Sequence, residues 1–574
     1  MVTAAQHMAV AGHYLAAQAA FEILEAGGNA IDAGVAGGIA LGVLHSDQVQ
    51  FSGVAPIILR LAESNEVVTI SGLGWWPEAA TLDAVMSDTN DPHVPLGLKR
   101  TVVPAAPDAW ILALNRFGTM GFAEVAKAAT RFAREGFTMH PHMTRFITNA
   151  EENYRRWPDN AAIWLPNGRV PQPGELFVQS DLARSLQFMI DEDLAARAKG
   201  GRAAGLAAAR HAFYEGDLAR EMVAFHEANG GLLRMNDLAR YRSAIEPAVR
   251  YVFGDLEVNT CGPWCQGPVL AQMLAILDGA DLTELGHNSL DYIHLVAEAM
   301  KLALADRERY YGDPRHVDVP MAGLVDRDYG AGRRGEIRAD SAWSEMPPAG
   351  RPPGAAWAGA DFPLPEPSTG LAPAPADTSY VCAVDSQGNV FSATPSDVSF
   401  QGPVIPGLGF CPSSRGSQSR GVPDHPCSVA PGRRPRLTPN PALALRRDGD
   451  GKPVFAMPFG APGGDAQAQG MLQVLLNHVE FGMDLQDAVE APRFISQSHP
   501  DSFAPHNYYP GRLIVEGRIP ETVTDDLSSR GHDIVRLDDV SHRVACVLAI
   551  AADLESGLMS SGADPRRPSR AVGF

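Results

Sequence analysis

The sequence predicts a mixed α/β fold, because helical and strand periodicities occupy different parts of the chain. Apolar residues at helical spacing dominate between residues 105 and 340. Strand-type alternation dominates from Thr378 to Gly463. This pattern indicates helices packed on sheets, and the residues alone leave the order of the layers open.

Two helices are predicted near the start of the chain. Apolar residues recur on one helical face from 14 to 26, and Gly27 and Gly28 end this helix because glycine adopts the left-handed conformation easily. The next helix, at 29–44, is small and apolar on every side, which is typical of a buried helix.

Further elements follow from the same periodicities. The other predicted helices are 125–135, 203–227, 290–311 and 466–479. The predicted strands are 54–61, 67–71, the run that begins at Thr378, 390–393 and 454–457.

A Pro-rich segment precedes the strand-rich region. Its prolines stand at 347, 348, 352, 353, 363, 365, 367, 373 and 375. Such a segment lacks backbone donors and apolar side chains, so residues 344–376 are expected to form an unstructured tail. A strand pattern begins at Thr378 and turns at 386–389 into a second strand. The simplest interpretation is a linker that enters a β-hairpin.

A threonine at the start of a strand, after a cleavable tail, is also suited to be a nucleophile. Cleavage between Asp377 and Thr378 would free the α-amino group of Thr378 beside its own hydroxyl. Because an α-amine titrates near neutrality, it could serve as the general base for that hydroxyl.

Short motifs through most of the chain resemble the γ-glutamyltranspeptidase family, in that family's order. They are AAFEILEAGGNAIDA at 19–33, TVVP at 101–104, FGTM at 117–120, QGP at 266–268, DTSYVCAVD at 377–385, NPAL at 440–443, GAPGGD at 460–465 and EAPRF at 490–494. No one of these motifs is decisive, but their number and order make the resemblance specific.

The resemblance implies a four-layer α-β-β-α sandwich of the N-terminal-nucleophile hydrolase type. It also implies self-cleavage into a large piece, 1–377, and a small piece, 378–574, which remain together as a heterodimer. The large piece is expected to be mostly helical after residue 104 and to end in the Pro-rich tail. The implied activity is hydrolysis or acyl transfer on a small amide.

The resemblance also assigns catalytic roles to four residues. Thr378 is the nucleophile and, through its freed amine, the base. Gly463 and Gly464 form the oxyanion hole, which suits a glycine loop before a helix because its N–H groups approach developing negative charge. Ser396 supplies a supporting hydroxyl. The alternatives are a plain strand-to-helix turn for the glycines and a turn serine for Ser396.

The chain departs from the family where that family holds a γ-glutamyl group. No arginine occurs from 61 to 99, where an arginine for the α-carboxylate is expected. Residues 411–421 contain no acid for the α-ammonium. The residues at these two places, which we interpret as substrate contacts, are Trp75, Trp76, Arg415 and Arg420.

These replacements favour an acyl group without an ammonium, of the dicarboxylic, oxamoyl or aryl type. If Arg415 or Arg420 binds its carboxylate, replacement by alanine should raise KM by about 10–100-fold and leave self-cleavage intact. The alternatives are a solvated loop for the arginines and core packing for the tryptophans.

Composition excludes other classes of partner. The net charge of −20 argues against nucleic acid and anionic membranes. No apolar run approaches the ~20 residues of a membrane span. Residues 1–13 have no basic region of the kind that begins a secretory signal, so a cytoplasmic location is expected.

No cofactor and no metal are expected. His140 and His142 lack helical ligand spacing and a third partner, and Cys261 and Cys265 have no second pair. The expected partners are a small amide substrate and the two pieces of the same chain, with a higher oligomer left open.

Three functions remain open from the sequence. The first is a self-processing amide hydrolase with non-γ-glutamyl specificity. The second is a true γ-glutamyltransferase or glutathione hydrolase, and the third is an inactive relative kept as a binding protein. Retention of Thr378, Gly463 and Gly464 argues against the third.

Overall fold

The computed structural model describes residues 1–87, 89, 91–356, 362–372 and 378–574. Its strands are β1 (Thr3–Ala4), β2 (Met8–Ala11), β3 (Ile57–Arg60), β4 (Val67–Ile70), β5 (Phe137–Thr138), β6 (Leu176–Phe177), β7 (Ile245–Pro247), β8 (Val249–Phe253), β9 (Leu256–Thr260), β10 (Val381–Val384), β11 (Val390–Ala393), β12 (Ala442–Arg447), β13 (Pro453–Gly460), β14 (Phe494–Ser496), β15 (Arg512–Val515), β16 (Asp533–Arg536), β17 (Leu548–Asp553), β18 (Met559–Ala563) and β19 (Arg570–Gly573).

The α-helices of the same residues are α1 (Tyr14–Glu25), α2 (Ala30–Leu44), α3 (Leu82–Met86), α4 (Ala106–Phe117), α5 (Phe122–Val125), α6 (Lys127–Glu135), α7 (Pro141–Asn149), α8 (Glu151–Arg155), α9 (Pro158–Trp164), α10 (Ser180–Tyr214), α11 (Asp217–Ala228), α12 (Met235–Arg240), α13 (Gly267–Leu277), α14 (Leu282–Leu285), α15 (Leu290–Tyr310), α16 (Met321–Leu324), α17 (Arg327–Arg334), α18 (Ala466–Val479), α19 (Leu485–Glu490) and α20 (Glu521–Ser529).

Two antiparallel seven-stranded sheets form the centre of the molecule. Their strand orders are β1-β18-β17-β13-β12-β9-β8 and β19-β2-β10-β11-β3-β4-β7. The two faces of β10 show how the layers are built. Cys382 and Val384 pack in a core between the sheets, whereas Val381 and Ala383 pack in a second core that includes α2. A third core joins the other sheet to α13, α15 and α18. The predicted four-layer α-β-β-α sandwich is therefore confirmed.

Helix α2 is the buried helix that the sequence predicts. The Asn29 side chain caps it by accepting hydrogen bonds from the Ile31 and Asp32 N–H groups. Every residue of α2 is buried. Gly34 lies against the Phe391 ring of β11, where a side chain would overlap that ring. Helix and sheet can therefore approach closely at β11, which pairs with the strand that follows Thr378.

Each sheet contains strands from both sides of Thr378, which pair with one another directly. In the sheet that contains β10, the N-terminal strand β2 pairs with β10 on one side and with the C-terminal strand β19 on the other. In the other sheet, β9 pairs with β12. Such interleaving would hold two pieces together after a cut before Thr378, because separating them would break ladder hydrogen bonds in both sheets.

Several predicted elements differ in extent from the observed ones. The region 105–340 also contains the five strands β5 to β9, which the sequence analysis missed. The predicted helix 125–135 is interrupted at Ala126, and the predicted helix 203–227 is interrupted at Glu215 and Gly216. These two breaks divide amphipathic runs whose apolar spacing continues across them, so periodicity alone did not reveal them.

The sequence analysis expected the Pro-rich tail to be unstructured. Within 344–356 and 362–372 no helix or strand forms, but the chain is held by specific contacts. The Met346 N–H donates to the Tyr508 hydroxyl at 2.9 Å, and the Ser368 N–H donates to the Tyr508 carbonyl at 2.7 Å. Partners outside the tail replace the internal hydrogen bonds that a Pro-rich segment cannot make.

No helix among the described residues combines the length and the apolar composition that a membrane span requires. No group of three or more His, Cys, Asp or Glu side chains in the same residues is arranged to hold a metal ion.

Candidate active site

Thr378 lies at the edge of the sandwich, three residues before β10 begins, rather than at the first position of the strand as predicted. The ladder nevertheless extends toward it, because the Ser379 N–H donates to the Pro395 carbonyl at 3.0 Å. Thr378 is fully buried, and its φ of 78° lies in the left-handed region that β-branched residues rarely adopt. Asp377, the predicted partner across the cleavage site, lies outside the described residues.

Main-chain contacts fix Thr378 on both sides. Its N–H donates to the Gln48 carbonyl at 3.1 Å. The Arg567 Nη1 donates to the Thr378 carbonyl at 3.0 Å and to Gln48 Oε1 at 2.8 Å. A segment after α2 and a segment just before β19 therefore meet at this one residue.

The Thr378 hydroxyl belongs to a buried hydrogen-bond network. Its Oγ1 lies 2.7 Å from the Ser396 Oγ, and the Arg415 Nη2 donates to that same Ser396 oxygen. The Ser396 N–H donates to the Val54 carbonyl at 3.0 Å, which fixes the serine backbone. Ser396 thus stands where a hydroxyl that supports Thr378 is predicted.

Gln467, in the first turn of α18, reaches Thr378 from the opposite sheet. Its side-chain amide lies 3.5 Å from the Thr378 Oγ1. In the amide orientation that satisfies its neighbours, the nitrogen donates to the carbonyls of Ala461 and Thr438, so the oxygen faces Thr378. In that orientation Gln467 can accept a hydrogen bond from the Thr378 hydroxyl but cannot donate one to it.

Gly463 and Gly464 form the loop between β13 and α18. Their φ angles are 138° and 58°, which only glycine adopts without strain. In the part of the chain that the structure describes, neither glycine N–H donates to an acceptor. The two glycine N–H groups are therefore available to an acceptor outside the chain. Gln467 lies in the helix turn that follows this loop, and its side chain reaches Thr378.

Arg415 and Arg420 are both buried and both have protein partners. Arg415, besides its contact with Ser396, lies 3.8 Å from the Asp397 carboxylate and over the Phe503 ring. Burial raises the pKa of Asp397, and the charge of Arg415 opposes that rise. Arg420 pairs with Glu308, which also binds Arg436. A substrate role for either arginine remains a prediction.

The two tryptophans lie in different surroundings. Trp76 is fully buried, its Nε1 donates to the Ser419 Oγ at 3.0 Å, and its ring packs beneath Gly416. It therefore supports the turn that carries Arg415. Trp75 is partly exposed and stacks with the Arg315 guanidinium on a separate surface hollow. Their predicted contact with substrate is likewise untested.

A cavity of about 230 Å³ opens beside the glycine loop. Gly463, Gly464 and Ala466 form one wall, and Phe400 and Tyr509 are among the aromatic residues that line it. A small amide bound here would lie next to the N–H groups of the loop. None of the four predicted substrate contacts lines this cavity. Phe503 does line it, and the Arg415 guanidinium lies over the Phe503 ring.

Sequence analysis missed Gln48, Gln467 and Arg567 as site residues. Gln467 could have been found, because it falls in the first turn of the helix after the glycine loop. Gln48 and Arg567 gave no local signal, since each lies in an irregular segment far from Thr378 along the chain.

A buried acid next to Gln48 predicts a pH-dependent stability. Burial raises the pKa of Asp47 from 3.8 to about 7, although the Gln48 amide donates to its Oδ2 at 2.8 Å. Between these two pKa values the unfolded chain binds fewer protons than the folded one, so stability should fall as pH rises toward 7 and then level off. Asp47→Asn should therefore increase the free energy of unfolding above pH 7 by on the order of 4 kcal/mol.

Denaturant titrations of the two proteins at pH 5 to 8 would measure this difference, with uncleaved Thr378→Ala as the common background. The exposed Asp525→Asn is the matched control and should show no such trend. A constant difference between Asp47→Asn and its parent across this range would contradict the assignment.

The sandwich of two facing sheets covered by helices places the chain among the N-terminal-nucleophile hydrolases. A family model for gamma-glutamyltranspeptidase matches residues 16–574. The chain therefore belongs to the γ-glutamyltranspeptidase family, and its place there makes it an enzyme that acts on amide bonds.

Its relatives carry different names. The chain is 34% identical to the acylase ACY 1 proenzyme of Pseudomonas sp. (strain V22), over 93% of this chain and 88% of the relative. It is 29% identical to the glutathione hydrolase-like YwrD proenzyme of Bacillus subtilis (strain 168), over 100% of this chain and 99% of that protein. Among solved structures, the cephalosporin acylase from Bacillus halodurans is 26% identical, covers 100% and 96% of the two chains, and has a TM-score of 0.85.

Proposed function

We propose that the protein is a self-processing amide hydrolase whose nucleophile is Thr378 and whose acyl group is not γ-glutamyl. The observation that carries the proposal is the buried Thr378 hydroxyl, whose Oγ1 lies 2.7 Å from the Ser396 Oγ. The same Oγ1 lies 3.5 Å from the side chain of Gln467, in the first helix turn after the Gly463–Gly464 loop. The relatives named as proenzymes support processing of this chain into residues 1–377 and 378–574.

Self-cleavage would begin with the Thr378 hydroxyl. Its Oγ1 adds to the carbonyl carbon of the peptide bond before Thr378, and the hydroxyl proton moves to the Thr378 nitrogen. The C–N bond then breaks, which leaves an ester on Oγ1 and a free α-amine on the same residue. Water then hydrolyses the resulting ester and releases a free N-terminal threonine. The positive φ of Thr378 costs roughly 1–3 kcal/mol, and cleavage would relieve it.

The freed amine would then serve as the base for amide hydrolysis. It would lie near the Gln48 carbonyl, which now accepts the Thr378 N–H. The charge of Arg567, held at the Thr378 carbonyl, favours the neutral amine that a base requires. The amine takes the hydroxyl proton as Oγ1 attacks the substrate carbonyl, and the glycine N–H groups stabilise the oxyanion. The same proton then passes to the leaving amine, and water hydrolyses the acyl-enzyme.

The acyl preference follows from what surrounds Thr378. Residues 411–421 supply Arg415 and no acid, and residues 61–99 supply no arginine. An α-ammonium would therefore lack the acid that the family places in this segment, at a cost of several kcal/mol. The acylase names of two relatives agree with this preference. The glutathione hydrolase-like name of the third favours the alternative, a true γ-glutamyltransferase.

Two substrates that share one chromogenic amine would separate these functions. The glutaryl amide should be turned over at least about 10-fold more efficiently, in kcat/KM, than the γ-glutamyl amide, because the two differ only in the ammonium. Faster turnover of the γ-glutamyl amide would make the transferase the better description. A processed protein that hydrolyses neither amide, nor an oxamoyl or aryl amide, would indicate an inactive relative.

A further inference from the structure

The cavity beside the glycine loop contains an arginine that the proposed mechanism does not use. Arg543 lines this cavity together with Gly463 and Gly464. Its segment runs directly along the loop: the Cys546 N–H donates to the Pro462 carbonyl at 3.3 Å. A side chain at Gly463 would meet the Ala545 backbone. Arg543 therefore lies within a few residues of the backbone that forms the predicted oxyanion hole.

The partner of Arg543 is a backbone carbonyl of the Pro-rich tail. Its Nη1 donates to the Ala372 carbonyl oxygen at 2.6 Å, and Ala372 lines the same cavity. Among the described residues no carboxylate forms an ion pair with this guanidinium. Burial lowers the pKa of Arg543, and the nearby Tyr509 opposes that shift. A guanidinium binds a carboxylate more strongly than a neutral carbonyl, so an anion could replace the Ala372 carbonyl as the partner of Arg543.

The acids of the cavity have partners of their own. Asp465 accepts hydrogen bonds from the Ser502 N–H and Oγ, both at 2.7 Å, and pairs with the buried Arg307. Burial opposes its ionisation, but Arg307 keeps the pKa of Asp465 well below its usual range. Asp501 accepts the Phe503 N–H at 2.9 Å. Within the described part of the chain, neither acid contacts Arg543, so the charge of Arg543 faces a cavity with aromatic walls.

We propose that Arg543 binds a carboxylate of the substrate, and that the Ala372 carbonyl occupies this position until the cut tail withdraws. The inference rests on the proposed function and deepens it. A planar guanidinium recognises a carboxylate through two parallel hydrogen bonds, which a single carbonyl oxygen cannot provide. The substrate class is an amide that bears a carboxylate on an apolar chain or ring, which the aromatic walls would cover.

In the uncut chain, the contact with Ala372 would keep a substrate carboxylate from binding Arg543. Residues 373–377 connect Ala372 to the cleavage position, so cleavage frees the end of the segment that caps Arg543. Among the described residues, no contact joins Arg543 to Thr378, Ser396 or Arg415, so self-cleavage should not depend on Arg543.

The test uses processed wild-type protein, Arg543→Ala and Arg543→Lys with two pairs of amides. The first pair is the glutaryl and the pentanoyl amide of one chromogenic aniline. The second pair joins a neutral acyl group to an aniline with or without a ring carboxylate. Arg543→Ala should raise KM by about 10–100-fold for the carboxylate member of one pair and change the neutral member by less than about 2-fold. The affected pair identifies whether the acyl group or the leaving amine carries the carboxylate.

Arg543→Lys should recover part of the affinity, and both variants should give two bands on a denaturing gel at the wild-type rate. Arg131→Ala, at an exposed arginine of α6, is the matched control. Equal effects on both members of each pair, or no effect at all, would overturn the inference. If the wild-type protein hydrolyses no amide, the proposed function fails instead, so the two failures are distinguishable.

Discussion

Replacement of Thr378 by alanine is expected to leave one uncut chain of 61.2 kDa that turns over no amide. Alanine lacks the hydroxyl that must attack the peptide bond before residue 378 and, later, the substrate. The wild-type protein should instead give two bands, and sequencing of the smaller one should begin at Thr378. A gel with intact-mass measurement distinguishes these results.

Thr378→Ser is the matched control, because it keeps a hydroxyl and removes only a methyl group. It should still be cut and still hydrolyse amides, although more slowly. A small fragment that begins at any residue other than Thr378, or efficient cutting of Thr378→Ala, would remove the basis for the proposed nucleophile.

Replacement of Arg415 by alanine is expected to slow both self-cleavage and amide hydrolysis by about 10–100-fold. Arg415 donates to the Ser396 hydroxyl, which lies 2.7 Å from the Thr378 Oγ1, so its loss would disturb the nucleophile in both reactions. It would also leave the buried Asp397 without its nearby cation. This differs from the sequence-based prediction, in which self-cleavage remained intact and only KM rose. Rates of chain cutting and of turnover measure it.

Arg415→Lys keeps the charge but not the planar fork and should lie between the wild type and Arg415→Ala. Circular dichroism of Arg415→Ala would verify that the protein is folded. A wild-type rate of cutting together with a raised KM for the glutaryl amide alone would instead support Arg415 as the substrate contact. Arg543→Ala is expected to leave the rate of cutting unchanged, whereas Arg415→Ala is expected to slow it. The rate of cutting therefore distinguishes the two arginines.

Local residue patterns were sufficient for several of the helices that pack against the sheets. Helix α2 begins at its Asn29 cap, and α18 runs from Ala466 to Val479 as predicted. Capping residues and apolar spacing act over a few residues, which is why they can be recognised without the fold. The short strands β8 and β9 escaped recognition, because their stability comes from pairing with each other and with β12 rather than from their own composition.

The same distinction applies to the site. Thr378 and the Gly463–Gly464 loop stand in motifs that can be read along the chain, and so does Ser396 by its spacing from Thr378. The contacts of Arg567 and Arg543 join residues that are 189 and 171 positions apart. Such contacts depend on how interleaved strands bring distant loops to one edge of the sandwich. Chemistry carried by neighbouring residues is therefore visible in the sequence, whereas the choice of substrate depends on the assembled fold, because no local interaction brings its residues together.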